Sequence, residues 1–131
     1  MARRKNEFLT EVEFEFMEAL WQAGKGTVRE IHSILSIKKP RAYTSVATIL
    51  KVLDDKGYVT STKEDRTLVY SPALSRSNYE KKFLRQMSNS MFGGTPSALV
   101  ARLIEDEELS EETIVEIRRV IDERMGRDAS G

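Results

Sequence analysis

Thr44, Ser45, Thr48 and Lys51 bring three hydroxyls and an ammonium into one short stretch. At about 100° per residue a helix sets Thr44, Thr48 and Lys51 on one side, with Ser45 and Ala47 flanking them. Hydroxyls so placed can donate to or accept from base edges, and threonine methyls can touch thymine methyls. Lys51 can reach guanine O6/N7 or a phosphate. Arg41 and Tyr43 stand at the start of the same helix, where phosphate contacts are expected. Lys63 and Arg66 follow at a charged turn and would add contacts to the nucleic-acid backbone. A Thr/Ser/Lys face alone is an ordinary wet helix surface, so the surrounding element order must decide.

Val46, Ile49, Leu50 and Leu53 recur at i, i+3, i+4 and i+7, which makes the opposite face apolar. The helix is expected from about Ala42 to Lys56, and Gly57 supplies a left-handed stop. Residues 58–62 and 67–70 are rich in β-branched and aromatic side chains. Glu64, Asp65 and Arg66 form the turn between them, so a hairpin is expected, ended by Pro72. Upstream, Thr10 and Glu13 form a capping box. Leu9, Val12, Phe16, Met17, Leu20 and Trp21 then recur at helical spacing. Gly24 and Gly26 stop that helix, Thr27 caps a second one, and Val28, Ile31 and Leu35 form its stripe. Pro40 disfavours helix at Lys39. Helix, helix, helix, glycine, hairpin is the order of a winged helix-turn-helix, in which the third helix reads bases and the hairpin grips the backbone.

Beyond residue 75 the pattern is helical only. Ser77 with Glu80 predicts a second capping box, for a helix through Tyr79, Phe83, Leu84 and Met87 to Phe92. Gly93 and Gly94 break it. Thr95 is expected to cap the next helix, with Pro96 at its first position. Ser110 caps the last, where Glu111 and Glu112 suit the dipole and Met125 continues the stripe. Residues 126–131 are expected to be a disordered tail. The fold class is therefore mostly α with a small β-hairpin wing. Residues 1–74 are read as a winged-helix DNA-binding domain and 75–131 as a helical dimerisation domain. A segment of about 50 residues hides little surface by itself. Leu99, Val100, Leu103, Ile104, Leu109, Ile114, Ile117 and Ile121 thus need a partner. A second copy is favoured over packing on the same chain, which predicts a homodimer and a near-palindromic site.

Composition excludes several classes. Hydrophobic residues make up 40% and charged residues 32%, enough for a modest core on a soluble surface. There is no cysteine, so disulfides, zinc-thiolate sites and iron–sulfur clusters are out of reach. No apolar run approaches the roughly 20 residues of a membrane span, and the basic start is not a secretory signal, so a cytoplasmic protein is expected. The formal net charge is zero. Phosphate binding needs only a local basic face, and Lys38, Lys39, Arg41, Lys51, Lys63 and Arg66 cluster on or beside the third helix and hairpin. His32, the single histidine, has no second soft ligand to share a metal with, so it reads as packing or surface. Residues 105–108, Glu-Asp-Glu-Glu, read as a solvated helix end ahead of a cation site. No nucleophile–base pair, phosphate loop or catalytic carboxylate pair has motif spacing, so no enzyme and no cofactor is expected.

The chain resembles the penicillinase-repressor family (BlaI/MecI/CopY). The resemblance is carried by LTEVEFEFMEALW at 9–21, TVREIHSIL at 27–35, YTSVATILKVLDDKGYV at 43–59, LVYSPALS at 68–75 and MFGGTPSALVARLIEDEELSEETIVEI at 91–117. It implies a winged-helix repressor with a C-terminal helical dimerisation region that binds palindromic operators of double-stranded DNA in bacterial promoters. It puts Tyr43, Thr44, Ser45, Thr48 and Lys51 at the major groove. Antibiotic-linked members are inactivated by cutting an Asn-Phe bond under control of a membrane sensor, which makes a regulatory protease or sensor a candidate partner. Arg102-Leu103 stands at the matching place here. Copper-responsive members carry a cysteine-rich tail, and this chain offers copper no thiolate. The rival expectation is a winged helix used as a protein-interaction module without sequence-specific DNA binding. A regulator responsive to a small molecule would need a pocket between the two halves.

Overall fold

The computed structural model describes residues 8–106 and 108–130. In chain order the elements are α1 (Glu11–Ala23), β1 (Gly26–Thr27), α2 (Val28–Ser36), α3 (Tyr43–Lys56), β2 (Val59–Glu64), β3 (Thr67–Pro72), α4 (Arg76–Met91), α5 (Pro96–Ile104) and α6 (Glu111–Ser130). The chain divides into two compact units, residues 1–84 and 85–131, and the division falls inside α4.

In the first unit the apolar stripes predicted for the three helices converge. Phe16, Met17 and Leu20 of α1, Ile31 of α2, and Val46, Leu50 and Leu53 of α3 are fully enclosed. Each such side chain contributes roughly 1.5–3 kcal/mol through burial. Two capping boxes begin α1 and α2. Thr10 Oγ1 accepts from the Glu13 amide at 3.1 Å while Glu13 Oε1 accepts from the Thr10 amide at 2.9 Å. Thr27 and Glu30 repeat the arrangement at 3.1 and 2.9 Å, so Thr27 is the expected cap and Glu30 its reciprocal partner. Gly57 ends α3 at φ 87°, a left-handed conformation that a side chain would strain.

The sheet has three antiparallel strands in the order β1-β3-β2. The hairpin is in register from Val59↔Pro72 to Glu64↔Thr67, and β1 adds Gly26↔Tyr70 and Thr27↔Val69. β1 was not expected, because two residues cannot display an alternating pattern. Its consequence is mechanical: Thr27 both pairs with β3 and caps α2, so the hairpin is tied to the start of that helix.

Tyr79 and Phe83 carry α4 into the first core. Tyr79 is 6% exposed, packs edge-on against Tyr58 and accepts from the Leu9 amide at 3.1 Å. Trp21 Nε1 donates to the Leu74 carbonyl at 2.8 Å and holds the approach to α4. The cap of α4 differs from expectation. Ser75, not Ser77, accepts from the Asn78 amide at 3.0 Å. Ser77 already lies inside the first turn, and Glu80 is drawn to Arg76 at 3.3 Å.

In the second unit Gly93 and Gly94, at φ 62° and 82°, end α4, and the Gly94 amide returns to the Ser88 carbonyl at 2.9 Å. Pro96 opens α5 and Thr95 holds the N-cap position as expected, but its side chain makes no cap bond. Its hydroxyl turns back and donates to the Phe92 carbonyl at 3.0 Å. Ser110 caps α6 by accepting from the Thr113 amide at 3.1 Å. α6 runs through Ser130, so residues 126–130 are helical rather than a loose tail; Gly131 lies outside the described residues. Gly126 lies within the helix, and exposed pairs such as Arg119–Glu123 support its polar face. Among the described residues of this unit only Ser88 is buried, and no apolar side chain is fully enclosed. No helix among the described residues is long and apolar enough to cross a membrane.

Candidate nucleic-acid interface

α3 separates two surfaces. Val46, Leu50 and Leu53 have no exposure at all, and Ile49 is half-buried beside them. Thr44, Ser45, Thr48 and Lys51 are exposed on the other side. Thr48 donates its hydroxyl to the Thr44 carbonyl at 2.9 Å, which fixes its rotamer and leaves oxygen lone pairs and methyl outward. Lys51 has no carboxylate partner among the described residues. Tyr43 is 51% exposed, with its ring 5.7 Å from that of His32.

Arg41 lies where it was expected along the chain, yet its guanidinium points elsewhere. Only 12% of its side chain is exposed, and one terminal nitrogen donates to Glu15 Oε1 at 3.1 Å. Nε is enclosed without an acceptor. The Arg41 carbonyl accepts from His32 Nε2 at 2.7 Å. A carbonyl only accepts, so that histidine nitrogen carries the proton. Ala42, the N-cap of α3, has no side chain able to cap. The start of α3 is therefore held by His32 and by the Arg41–Glu15 pair, a positioning role that sequence spacing did not reveal. His32 is thus engaged with backbone, as a packing role requires. At the other end Lys56 meets both carboxylate oxygens of Glu13 at 2.9 and 3.0 Å.

The hairpin tip is made by Asp65 and Arg66, both with positive φ at 50° and 69°. Two such residues between Glu64 and Thr67 form the turn whose twist suits a two-residue hairpin. Lys63 and Arg66 are exposed there, and Glu64 is paired with Lys25 at 3.5 Å. Arg29 was missed from sequence. It stands exposed in the first turn of α2 and, with Tyr43 and Arg66, lines a cavity of about 450 Å³ between α2, α3 and the hairpin. Its signal was present in the capping box TVRE, which marks a helix start and so an electropositive end. Tyr70, buried behind the hairpin, has its phenol pushed above the ordinary value by burial and then by the charge of Asp54. Asp54 in turn accepts from Ser61 Oγ at 3.0 Å, so this polar cluster is structural.

Among the described residues no three His, Asp or Glu side chains come together as a metal site. Glu107 of the acidic run lies outside the described residues.

Three helices followed by a hairpin tied to β1, with the polar face of α3 open beside that hairpin, define a winged-helix protein. The chain belongs to the penicillinase repressor family, whose model matches residues 9–123. This is a family of transcriptional repressors and not of enzymes. The chain is 27% identical over 119 residues to the penicillinase repressor of Bacillus licheniformis, spanning 91% of this chain and 93% of that one. It is 22% identical over 116 residues to the methicillin resistance regulatory protein MecI of Staphylococcus aureus, spanning 88% and 94%. Among solved structures, the solution structure of the DNA-binding domain of the repressor BlaI matches with a TM-score of 0.51 at 26% identity. That match covers 60% of this chain and 94% of the other.

Proposed function

We propose that this protein is a cytoplasmic, dimeric repressor that occludes a bacterial promoter by binding a near-palindromic operator. The observation that carries this is the division of α3. Its fully enclosed Val46, Leu50 and Leu53 turn Thr44, Ser45, Thr48 and Lys51 outward, beside a hairpin that presents Lys63 and Arg66. The hydroxyls, Tyr43 and Lys51 read base edges in the major groove, while Lys63, Arg66 and Arg29 meet phosphates. Arg41 sets the angle of α3 from behind. The relative called the DNA-binding domain of BlaI supports the same use of this fold.

Residues 1–74 form the DNA-binding domain in this proposal, with Tyr79 and Phe83 of α4 completing its core, and the remainder of residues 75–131 forms the dimerisation domain. Leu103, Val120, Ile121 and Met125 are about half-exposed or more, and Leu99, Leu109, Ile114 and Ile117 are only partly covered. Apolar surface of this extent marks a site of association. Val100 and Ile104, each 39% exposed, belong to the same set. Two-fold pairing spaces the two α3 helices by one DNA turn or a multiple of it. Repression ends when the dimer weakens, whether by a protease, a sensor or another signal, because a single bound half-site forfeits the linked second contact.

The test is an electrophoretic shift with the promoter region of the protein's own gene. Retarded DNA competed by unlabelled specific fragment, and not by random DNA, is the expected result. Equal competition by both would leave the fold as a protein-interaction module.

A further inference from the structure

We propose that the first unit holds a site for a small organic carboxylate with an apolar body, and that filling it loosens the start of α3. The site stands on its own geometry; only its consequence for DNA rests on the operator reading above.

The site is a half-open cavity of about 650 Å³ formed by α1, α2, the segment before α3 and the start of α4. This is within the size range of small-molecule pockets. One side is apolar, with Trp21, Ile34 and Ile37. Ile37 is 83% exposed and Ile34 38%, so this wall is uncovered within the unit. The other side is cationic, with Lys38, Arg41 and Arg76. Arg76 lies over the rings of Phe14 and Trp21 at 5.5 and 5.6 Å, which joins the two sides.

The charges select the ligand. Glu15 sits against Arg41 at 3.1 Å and Glu18 against Arg76 at 3.4 Å. Both glutamates are 44% exposed, so each pair is open to exchange with solvent species. Glu80 also meets Arg76, at 3.3 Å, whereas Lys38 has no carboxylate partner among the described residues and is the cation of this wall left open to a ligand. The Arg41 pair is also incomplete. Glu15 engages only a terminal nitrogen, and Nε is enclosed without an acceptor. A carboxylate that binds Arg41 side-on, through Nε and the terminal nitrogen, makes the bidentate pair that Glu15 does not. Lys38 supplies the remaining charge, and an apolar body covers Ile34, Ile37 and Trp21.

To present Nε the guanidinium must turn away from Glu15. Its own carbonyl is the acceptor of the His32 bond, and the next residue is the uncapped N-cap of α3. A ligand that captures Arg41 thus competes with the contact that holds Tyr43 and Thr44 in place. Coupling of this kind is reciprocal.

Trp21 is the only tryptophan and lines the cavity, so its fluorescence reports occupancy without DNA. The probes are 4-phenylbutyrate and decanoate, each against its primary amide, on the full chain. The expected result is a saturable change with both acids, about tenfold tighter than with the amides. Ile37→Asp and Lys38→Ala, both at exposed positions, should each weaken acid binding by about fivefold or more with the thermal transition unmoved. The acids should also weaken DNA binding, by the same factor by which bound DNA weakens them, about tenfold. No saturable change up to about 10 mM acid, amides equal to acids, or both variants binding like the parent would each overturn the site. Equal DNA affinity with and without bound acid would overturn the coupling. Acid binding in a protein that shifts no DNA would reject the operator reading and keep the site.

Discussion

Lys56, the last residue of α3, places its ammonium 2.9 and 3.0 Å from the two carboxylate oxygens of Glu13, near the start of α1. The same Glu13 oxygen that meets Lys56 at 3.0 Å also accepts from the Thr10 amide. One buried carboxylate therefore caps one helix and tethers the end of another. Glu15 performs the matching service ahead of α3, through Arg41. The helix that carries the hydroxyl-and-lysine face is clasped by α1 at both ends, so its pitch is set by the core rather than by its own weak N-cap.

Replacing Glu13 should show this in stability. Glu13→Ala removes both the reciprocal cap and the carboxylate that Lys56, with a side chain only 21% exposed, meets at 2.9 Å. The expected loss is about 1–2 kcal/mol, read from the urea midpoint. Glu13→Gln keeps an acceptor for the Thr10 amide and should lose about half as much.

Arg66 and Arg41 should separate in their salt dependence. Arg66→Ala should weaken DNA binding nearly independently of sequence and lower the salt slope by roughly one unit. Arg41→Ala should weaken binding with the slope unchanged, because its charge is already spent on Glu15. Anisotropy titrations at several salt concentrations decide the point; a slope that falls for Arg41→Ala would restore it to the phosphate set. Lys51→Ala should cost about 1–3 kcal/mol in operator affinity, measured the same way.

The second unit should fail as an interface when charged. Leu103 is 54% exposed, so Leu103→Asp leaves the fold of one chain intact and places a carboxylate in the apolar face. Sedimentation should show a monomer at micromolar concentration, with affinity for a two-half-site fragment reduced by about 10²–10⁴. A parent protein that sediments as a monomer would remove the dimer.

Tyr70 gives a pH signature. Its phenol is raised in the folded state by burial and by Asp54, so the folded chain keeps a proton that the unfolded chain releases. The associated stability is present below the ordinary tyrosine value and is lost as pH climbs past it. Tyr70→Phe cannot titrate. Its urea midpoint should fall less steeply than that of the parent between about pH 9 and 11.

Much of the fold was legible because it is written in short-range patterns. The box at Thr10, the cap at Thr27, the stripe of Val46, Leu50 and Leu53 and the stop at Gly57 each depend on neighbours within two turns. The outward face of α3 follows from the same periodicity. The cap residue of α4 was misjudged because several hydroxyls compete near its start, and that of α5 was placed correctly but makes no cap bond. Ser75 outcompeted Ser77 by lying just outside the helix, and Thr95 was diverted to Phe92 by the turn at Gly93 and Gly94. β1 escaped notice because a two-residue strand carries almost no pattern, and Arg29 because the box at Thr27 and Glu30 that marks its helix start was not read as one.

Local periodicity by itself determined the helices, the hairpin, the identity of the buried stripes and the residues left facing out, since all follow from side-chain direction along one element. Tertiary structure alone decided that Tyr79 and Phe83 complete the first core. It also turned Arg41 inward to Glu15, tied Lys56 to Glu13 and opened a cavity beside Trp21. These depend on where distant segments meet. Glu13 and Lys56 stand 43 positions apart, and only the packing of α1 across α3 brings their charges within hydrogen-bond reach.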